Sequence, residues 1–267
     1  MSRALFAHTW RSQRTKLLVV CVAIAAWSAF LPVIYQSFGV QMRSLVDSGV
    51  IPKQFTNFGG GDVFSLGGAI ALGYVHPISI ILLSVFAIGF TTSAVAGERQ
   101  RGTLEVLLAR PLSRRQVYLT LLAAVLVFIG LVLAAASIGT MIGAAVVGVF
   151  DQLAIDRLPV LWLNGILLWG SIAAIGLAAS VSFDRLTPAL GITMAIVVVS
   201  YFLDILGSLW PDAAGLQKYS LFHYLTARDI LGGTVDLVGF VILGVVAAIA
   251  IAVALGIFPR RDLAAPS

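Results

Sequence analysis

Long apolar runs alternate with short polar stretches along the whole chain, and that alternation predicts the fold before any motif does. The runs are 17–35, 66–96, 117–149, 159–182, 188–210 and 237–258. About 20 residues at ~1.5 Å rise cross a hydrocarbon core of ~30 Å, so each run predicts one membrane helix. Two runs are longer than a span needs. His76-Pro77 interrupts 66–96, which places the second span at 77–96 and leaves 66–75 as a re-entrant or partly buried lead-in. The run 117–149 predicts a third span that tilts or projects beyond the bilayer. Pro188 opens the fifth span, where a proline is tolerated at a helix start.

The polar stretches fill in the layout. Residues 1–16 carry Arg3, Arg11, Arg14 and Lys16 among Leu5, Phe6 and Trp10, the pattern of a basic interfacial helix lying flat on the bilayer. Ala23-Ile24-Ala25 has the small-x-small form of a signal cleavage site. The apolar run continues well past it, so an uncleaved first span is the better reading. Residues 211–236 interleave Leu221, Phe222, Tyr224 and Leu225 with Lys218, His223, Arg228 and Asp229, an amphipathic segment suited to the outer interface. With the N-terminus inside, twelve of the 17 Lys and Arg fall on the inner side and five on the outer. The expectation is one all-α, polytopic membrane domain over 1–267. It has six transmembrane helices, cytoplasmic N- and C-termini and a cytoplasmic loop at 97–116 between spans two and three.

Composition agrees. The chain is 60% hydrophobic and 11% charged, with mean hydropathy +1.02, against about 25% charged residues in a soluble domain. The basic pI of about 9.7 follows from positive-inside loops and does not call for nucleic acid. Cys21 is alone in an apolar run, which excludes disulfides.

Residues 97–117 stand apart. Five Arg and two Glu fall within this one short stretch between apolar runs, too dense a charge for hydrocarbon. Gly102-Thr103 can open a short helix that Pro111 ends. Within it Leu104, Leu107 and Leu108 share one face, and Arg101 and Glu105 another. Ser113-x-x-Gln116 reads as a capping box opening the next helix. The leucine face needs cover from the membrane surface, the protein's own core or a partner. A solvated positive-inside loop explains the arginines alone, not the face, boundaries and cap together.

The string from Glu98 through Leu112 resembles the cytoplasmic loop of exporter-class ABC transporter permeases, the ABC-type-2 transmembrane domain. There a glutamate, a Gly-Thr-Leu-Glu core and a following Pro-Leu-Ser-Arg recur between the second and third spans. The likeness covers about twenty residues. It implies that 97–116 is a coupling helix docking on a separate ATPase subunit that carries ATP and Mg. The implied contact and coupling residues are Glu98, Arg101, Gly102, Thr103, Leu104, Glu105, Leu107, Leu108, Arg110, Pro111, Arg114 and Arg115. It also implies a second permease copy, identical or related, alternating access and a tendency to efflux.

Other chemistries lack their residues or the context those residues need. None of Lys16, Lys53 and Lys218 follows glycine in a Gly-Lys-Ser/Thr string, so the chain has no P-loop and no cofactor of its own. His8, His76 and His223 lie on different segments and make no zinc site, and no Gly-x-Ser-x-Gly string occurs. Gly59-Gly60-Gly61-Asp62 fits the Gly-x-Gly-Asp pattern of intramembrane aspartyl proteases. A glycine loop explains it better, because Leu203 rather than Tyr precedes the second aspartate, Asp204. Asp204 is the one acid well inside an apolar run. It marks either a substrate path or a position near enough to the outer interface to meet water. An intramembrane enzyme or an ion-coupled secondary transporter using Asp204 is the alternative function. Asn164 and His76 are weaker path candidates. The first suits a helix–helix hydrogen bond, the second an interfacial position.

Overall fold

The structure is a computed structural model and describes residues 1–39, 44–45, 48–50, 64–104 and 112–261. Every regular element among them is helical. The main helices are α1 (Arg3–Ile34), α2 (Leu66–Val75), α3 (Pro77–Ser84), α4 (Arg114–Val146), α5 (Leu158–Ser182), α6 (Leu186–Leu209), α7 (Ala227–Leu231) and α8 (Leu237–Ile257). Five of them, α1, α4, α5, α6 and α8, are long and apolar enough to cross a membrane. The pair Leu66–Val75 and Pro77–Phe90, bent by 44°, is a broken span or a re-entrant loop, which gives five to six candidate spans among the described residues. His76 sits at the bend. Its Nδ1 accepts the Ile78 N–H at 3.3 Å, and its ring lies 4.5 Å from that of Trp27.

The first element differs from the expectation. Residues 1–16 do not form a separate flat helix: α1 runs unbroken from Arg3, 32 residues in all. No Gly or Pro precedes Pro32 to break it. Leu5, Thr9, Leu17, Val20, Ile24, Ser28 and Leu31 form one buried stripe, so the same face that anchors the apolar half anchors the basic half. The stripe lies on α4, and the two helices run parallel. The Ser2 N–H donates to Thr120 Oγ1 at 2.9 Å, and Trp10 packs on Phe128 with ring centres 5.9 Å apart. Further along, Gly139 and Gly143 face the backbone of Ala25 and Ala29. A Cβ on either glycine would stand 2.1 Å from an alanine carbonyl oxygen. Small residues four apart on both helices bring the backbones together, the usual means of helix cohesion where lipid removes the hydrophobic drive.

The capping box forms at the start of α4: Ser113 Oγ accepts the Gln116 N–H, and Gln116 Oε1 accepts the Ser113 N–H. Gly148, at φ +74°, closes α4 by letting the Val149 N–H reach the Ala144 carbonyl at 2.9 Å. Phe128 on α4 is the hub of the core near this helix, with Phe86 at 5.2 Å and Phe90 at 5.7 Å. At the far end, 3-10 turns at Pro211–Tyr219 and Phe222–Tyr224 fold back onto the bundle. There Phe222 is buried between Trp169 and Tyr201. Val198, Val199 and Phe202 on α6, with Val241, Val245 and Ile249 on α8, stay exposed, the faces a bilayer would cover.

Residues of 1–5, 98–104, 112–116, 182–187 and 258–261 gather at one end of the bundle, tied by the bonds described below. Gly139→Ala is expected to destabilise the purified chain by about 1–3 kcal/mol through overpacking. Gly191→Ala, with open space around it inside α6, is expected to leave stability unchanged or to raise it by up to about 1 kcal/mol. Denaturant titration in detergent compares the two.

Candidate functional site

The second span does not run as a plain α-helix into the central loop. After α3 it opens into π-helical turns at Val85–Phe90 and Ser93–Gly97, a form common at functional sites. Wide turns leave backbone groups without their usual partners, and side chains take them up. Thr91 Oγ1 donates to the Ala87 carbonyl at 2.7 Å, Thr92 Oγ1 to that of Ile88 at 2.7 Å, and Ser93 Oγ to that of Gly89 at 2.8 Å. A neighbouring helix completes the repair. Ser180 Oγ on α5 donates to the Thr92 carbonyl at 2.8 Å and accepts the N–H of Val95 and of Ala96 at 3.1 and 3.0 Å. One turn back, Gly176 makes room, because a Cβ there would meet Thr91 Oγ1 at 2.2 Å.

The span then ends at the loop's root. Gly102, at φ +71°, stands between two helical stretches, with Leu104 already helical beyond it as the sequence context suggests. It closes the preceding one: the Thr103 N–H donates to the Glu98 carbonyl at 2.9 Å, and the Gly102 N–H to that of Arg99 at 2.9 Å. This is the Schellman pattern, which needs a left-handed residue that glycine supplies freely. Around it Glu98 gathers the Arg101 guanidinium and, at 2.5 Å, the Thr103 hydroxyl. Leu104 is 3% exposed and lies in the protein's own core. The first leucine of the expected docking face is therefore not available to a partner. Glu105, Leu107, Leu108, Arg110 and Pro111 lie outside the described residues.

Both roots of the loop are fastened to other spans. On the near side Arg99 Nη1 stands 2.6 Å from Asp184, in the α5–α6 turn, and the same carboxylate pairs with Arg261 beyond α8. Gln100 Oε1 accepts the Leu186 N–H at 3.0 Å, at the start of α6. On the far side Arg114 donates to the carbonyls of Phe258 at 3.1 Å, Pro259 at 3.4 Å and Arg261. A cation at the N-terminus of α4 opposes that helix's dipole. The carbonyls at the C-terminus of α8 compensate it directly, so no lipid phosphate or partner carboxylate is needed for Arg114. Arg115 is exposed. Sequence reasoning missed Arg99, Gln100, Ser180, Asp184 and Arg261. The one available signal was Asp184, one of four acids amid the twelve basic residues assigned to that end.

The family model described as ABC-2 family transporter protein matches residues 6–263. The chain belongs to the ABC-2 transporter family. No curated protein and no solved structure matches it. Membership makes this ABC-2 chain a permease component of an ABC transport system and a multi-pass protein of the cell membrane. It also implies, in general terms, an ABC ATPase partner.

The three intramembrane candidates separate. In this ABC-2 chain Asn164 is fully buried with both ends of its amide used. Nδ2 donates to the Tyr224 carbonyl at 3.0 Å, and Oδ1 accepts the Thr226 N–H at 3.2 Å. It clamps α5 to the 211–236 segment, a structural role. His76 caps α3 and stacks on Trp27, also a structural role. Asp204 alone faces open space, a polar cavity of about 420 Å³ shared with Ser208, Gln217, His223, Thr226 and Asp236. The carbonyl of Asp204 accepts from Ser208 and Gln217, which holds the helix there and leaves the carboxylate to the cavity. No cluster of three metal-ligating side chains occurs among the described residues.

Asn164→Leu leaves a buried carbonyl and N–H unpaired, at about 1–3 kcal/mol each. It is expected to lower stability and to speed proteolysis within 211–236. Asp204→Asn is expected to preserve folding and assembly while changing transport. Limited proteolysis and a transport assay on both variants distinguish clamp from path.

Proposed function

We propose that this chain is the permease subunit of an ATP-driven exporter. It works by alternating access with a separate ATPase subunit that binds ATP and Mg, beside a second permease copy or a related one. The observation that carries the reading is the fastening of both roots of 97–116 to other spans. Arg99 and Gln100 reach the α5–α6 turn, and Arg114 reaches the end of α8. A displacement of the loop thus passes at once to α5, α6 and α8. Coupling requires contacts that differ between two states, and the pairs of Arg99 and Arg261 with the half-exposed Asp184 are the contacts a moving loop would exchange. The excess of basic residues at this end supports a cytoplasmic face. The proposed docking surface is Glu105, Leu107, Leu108, Arg110 and Pro111, with Glu98, Arg101, Gly102 and Thr103 holding its root. Glu105 and Arg110 would rim a groove on the ATPase and set register more than strength. Asp204 marks the proposed substrate path.

Membranes holding this chain alone are expected to show no ATP hydrolysis above background. Robust hydrolysis by the purified single chain would overturn the reading. With the ATPase co-expressed, Leu107→Asp is expected to release it on purification, and Glu105→Ala to weaken coupling modestly. Retention of the ATPase and full transport by Leu107→Asp would reduce the loop to a solvated connector. Asp184→Ala, which strips the shared carboxylate from two largely buried arginines, is expected to lower stability by about 1–3 kcal/mol and to lower ATP-driven transport several-fold with the ATPase still bound.

A further inference from the structure

The cavity of about 420 Å³ at Asp204 is walled by several elements. α2 brings Val75, α6 brings Asp204 and Ser208, the returning segment brings Gln217 and Leu225, and Asp236 stands at the start of α8. Its two uncommitted polar ends are both acceptors. The Asp204 carboxylate makes no hydrogen bond or ion pair among the described residues, since Ser208 and Gln217 reach only the backbone carbonyl. Gln217 Nε2 commits its donors to that carbonyl and to Ser208 Oγ, both at 3.0 Å. A carbonyl can only accept, so it fixes which end of the amide is nitrogen. Gln217 Oε1 is therefore left as an acceptor, also without a partner among the described residues. Gly207 makes room for this side chain, because a Cβ there would stand 2.3 Å from Gln217 Cγ. Both sets of oxygens keep accessible surface, and both residues line the cavity.

The rest of the wall narrows the ligand. Three aspartates, Asp204, Asp229 and Asp236, line it against Arg228 and His223, so the wall is net negative in either state of His223. Asp236 is already used, its Oδ1 accepting the Val238 N–H at the cap of α8. The acids are spread over α6, α7 and that cap, and no three metal-ligating groups converge among the described residues. Two accepting oxygens on a net negative wall call instead for a cation that donates several hydrogen bonds, and an ammonium group supplies three. Val75 and Leu225 add apolar surface, which suits a carbon body on that group. We propose that the substrate admitted at Asp204 is an organic ammonium ion, its N–H groups on the Asp204 carboxylate and Gln217 Oε1 and its body along Val75 and Leu225. This substrate class rests on the reading of Asp204 as part of the substrate path.

The test uses the full chain in phosphatidylcholine nanodiscs and tritiated 2-phenylethylammonium, with empty nanodiscs as background. Binding is expected to saturate and to be displaced by unlabelled ammonium at least roughly tenfold more effectively than by 2-phenylethanol, which has no charge. 3-Phenylpropionate is expected not to compete. Asp204→Asn is expected to weaken binding roughly tenfold, and Asp212→Asn, an exposed acid outside the cavity, to leave it unchanged. Equal competition by the alcohol, or better competition by the carboxylate, would overturn the proposal. If Asp204→Asn misfolds, that competition series on the unaltered chain decides. Unchanged binding in Asp204→Asn, with transport still altered, would overturn the substrate class and leave Asp204 on the path. Binding that depends on Asp204, with no ATP-driven uptake of the tritiated ammonium into proteoliposomes holding the chain and its ATPase, would take Asp204 off the path and the ammonium out of the substrate class.

Discussion

In hydrocarbon no water is available to a loose backbone N–H or carbonyl, so every one must find a partner inside the protein. The layout of this chain follows from that constraint wherever it departs from straight helices. The second span widens into π turns, which Thr91, Thr92 and Ser93 repair from within and Ser180 repairs from α5. At the other end the chain turns back after α6, and Asn164 and Ser220 take up backbone groups of the returning segment and of α6. These side chains are small and their bonds specific, so each irregular stretch is tied to one neighbour in one register.

The two ends of the bundle are held differently. The membrane-depth contacts are close-packed, with Gly139 and Gly143 on Ala25 and Ala29 and with Gly176 on Thr91. Contacts of that kind tolerate little displacement. The end bearing the central loop is held by partly exposed charge pairs, Asp184 with Arg99 and Arg261, and by arginine on carbonyl oxygens. Water reaches these pairs from the Asp184 side, since Arg99 and Arg261 are largely buried. Such pairs can exchange partners where the close-packed contacts cannot, which is what a coupling loop requires.

Much of the loop's root was legible in the sequence, and its errors were physical ones. Ser113 and Gln116 make the capping box that their spacing predicts. Gly102-Thr103 stands at a helix boundary as its context predicts, with Leu104 helical beyond it, and only the left-handed φ shows that Gly102 also closes the turn before it. Of the covers open to the leucine face, Leu104 takes the protein's own core, while Leu107 and Leu108 lie outside the described residues. Residues 1–16 were read as lying flat because they are basic and amphipathic. Their apolar stripe is instead continuous with that of the first span and rests on α4 throughout.

The sequence by itself determined the class, the spans and the family loop. Hydropathy is a local property, and crossing a membrane demands a fixed length of it; the loop's Gly, Pro and capping residues are likewise neighbours in the chain. Only the tertiary structure decided which charges meet. Asp184 lies 85 residues from Arg99 and 77 from Arg261, and nothing local marks that carboxylate as their shared partner. It decided as well that Asn164 is a clamp while Asp204 opens on a cavity. Both are polar residues in apolar runs, and their roles depend on which backbone the 211–236 segment brings beside them.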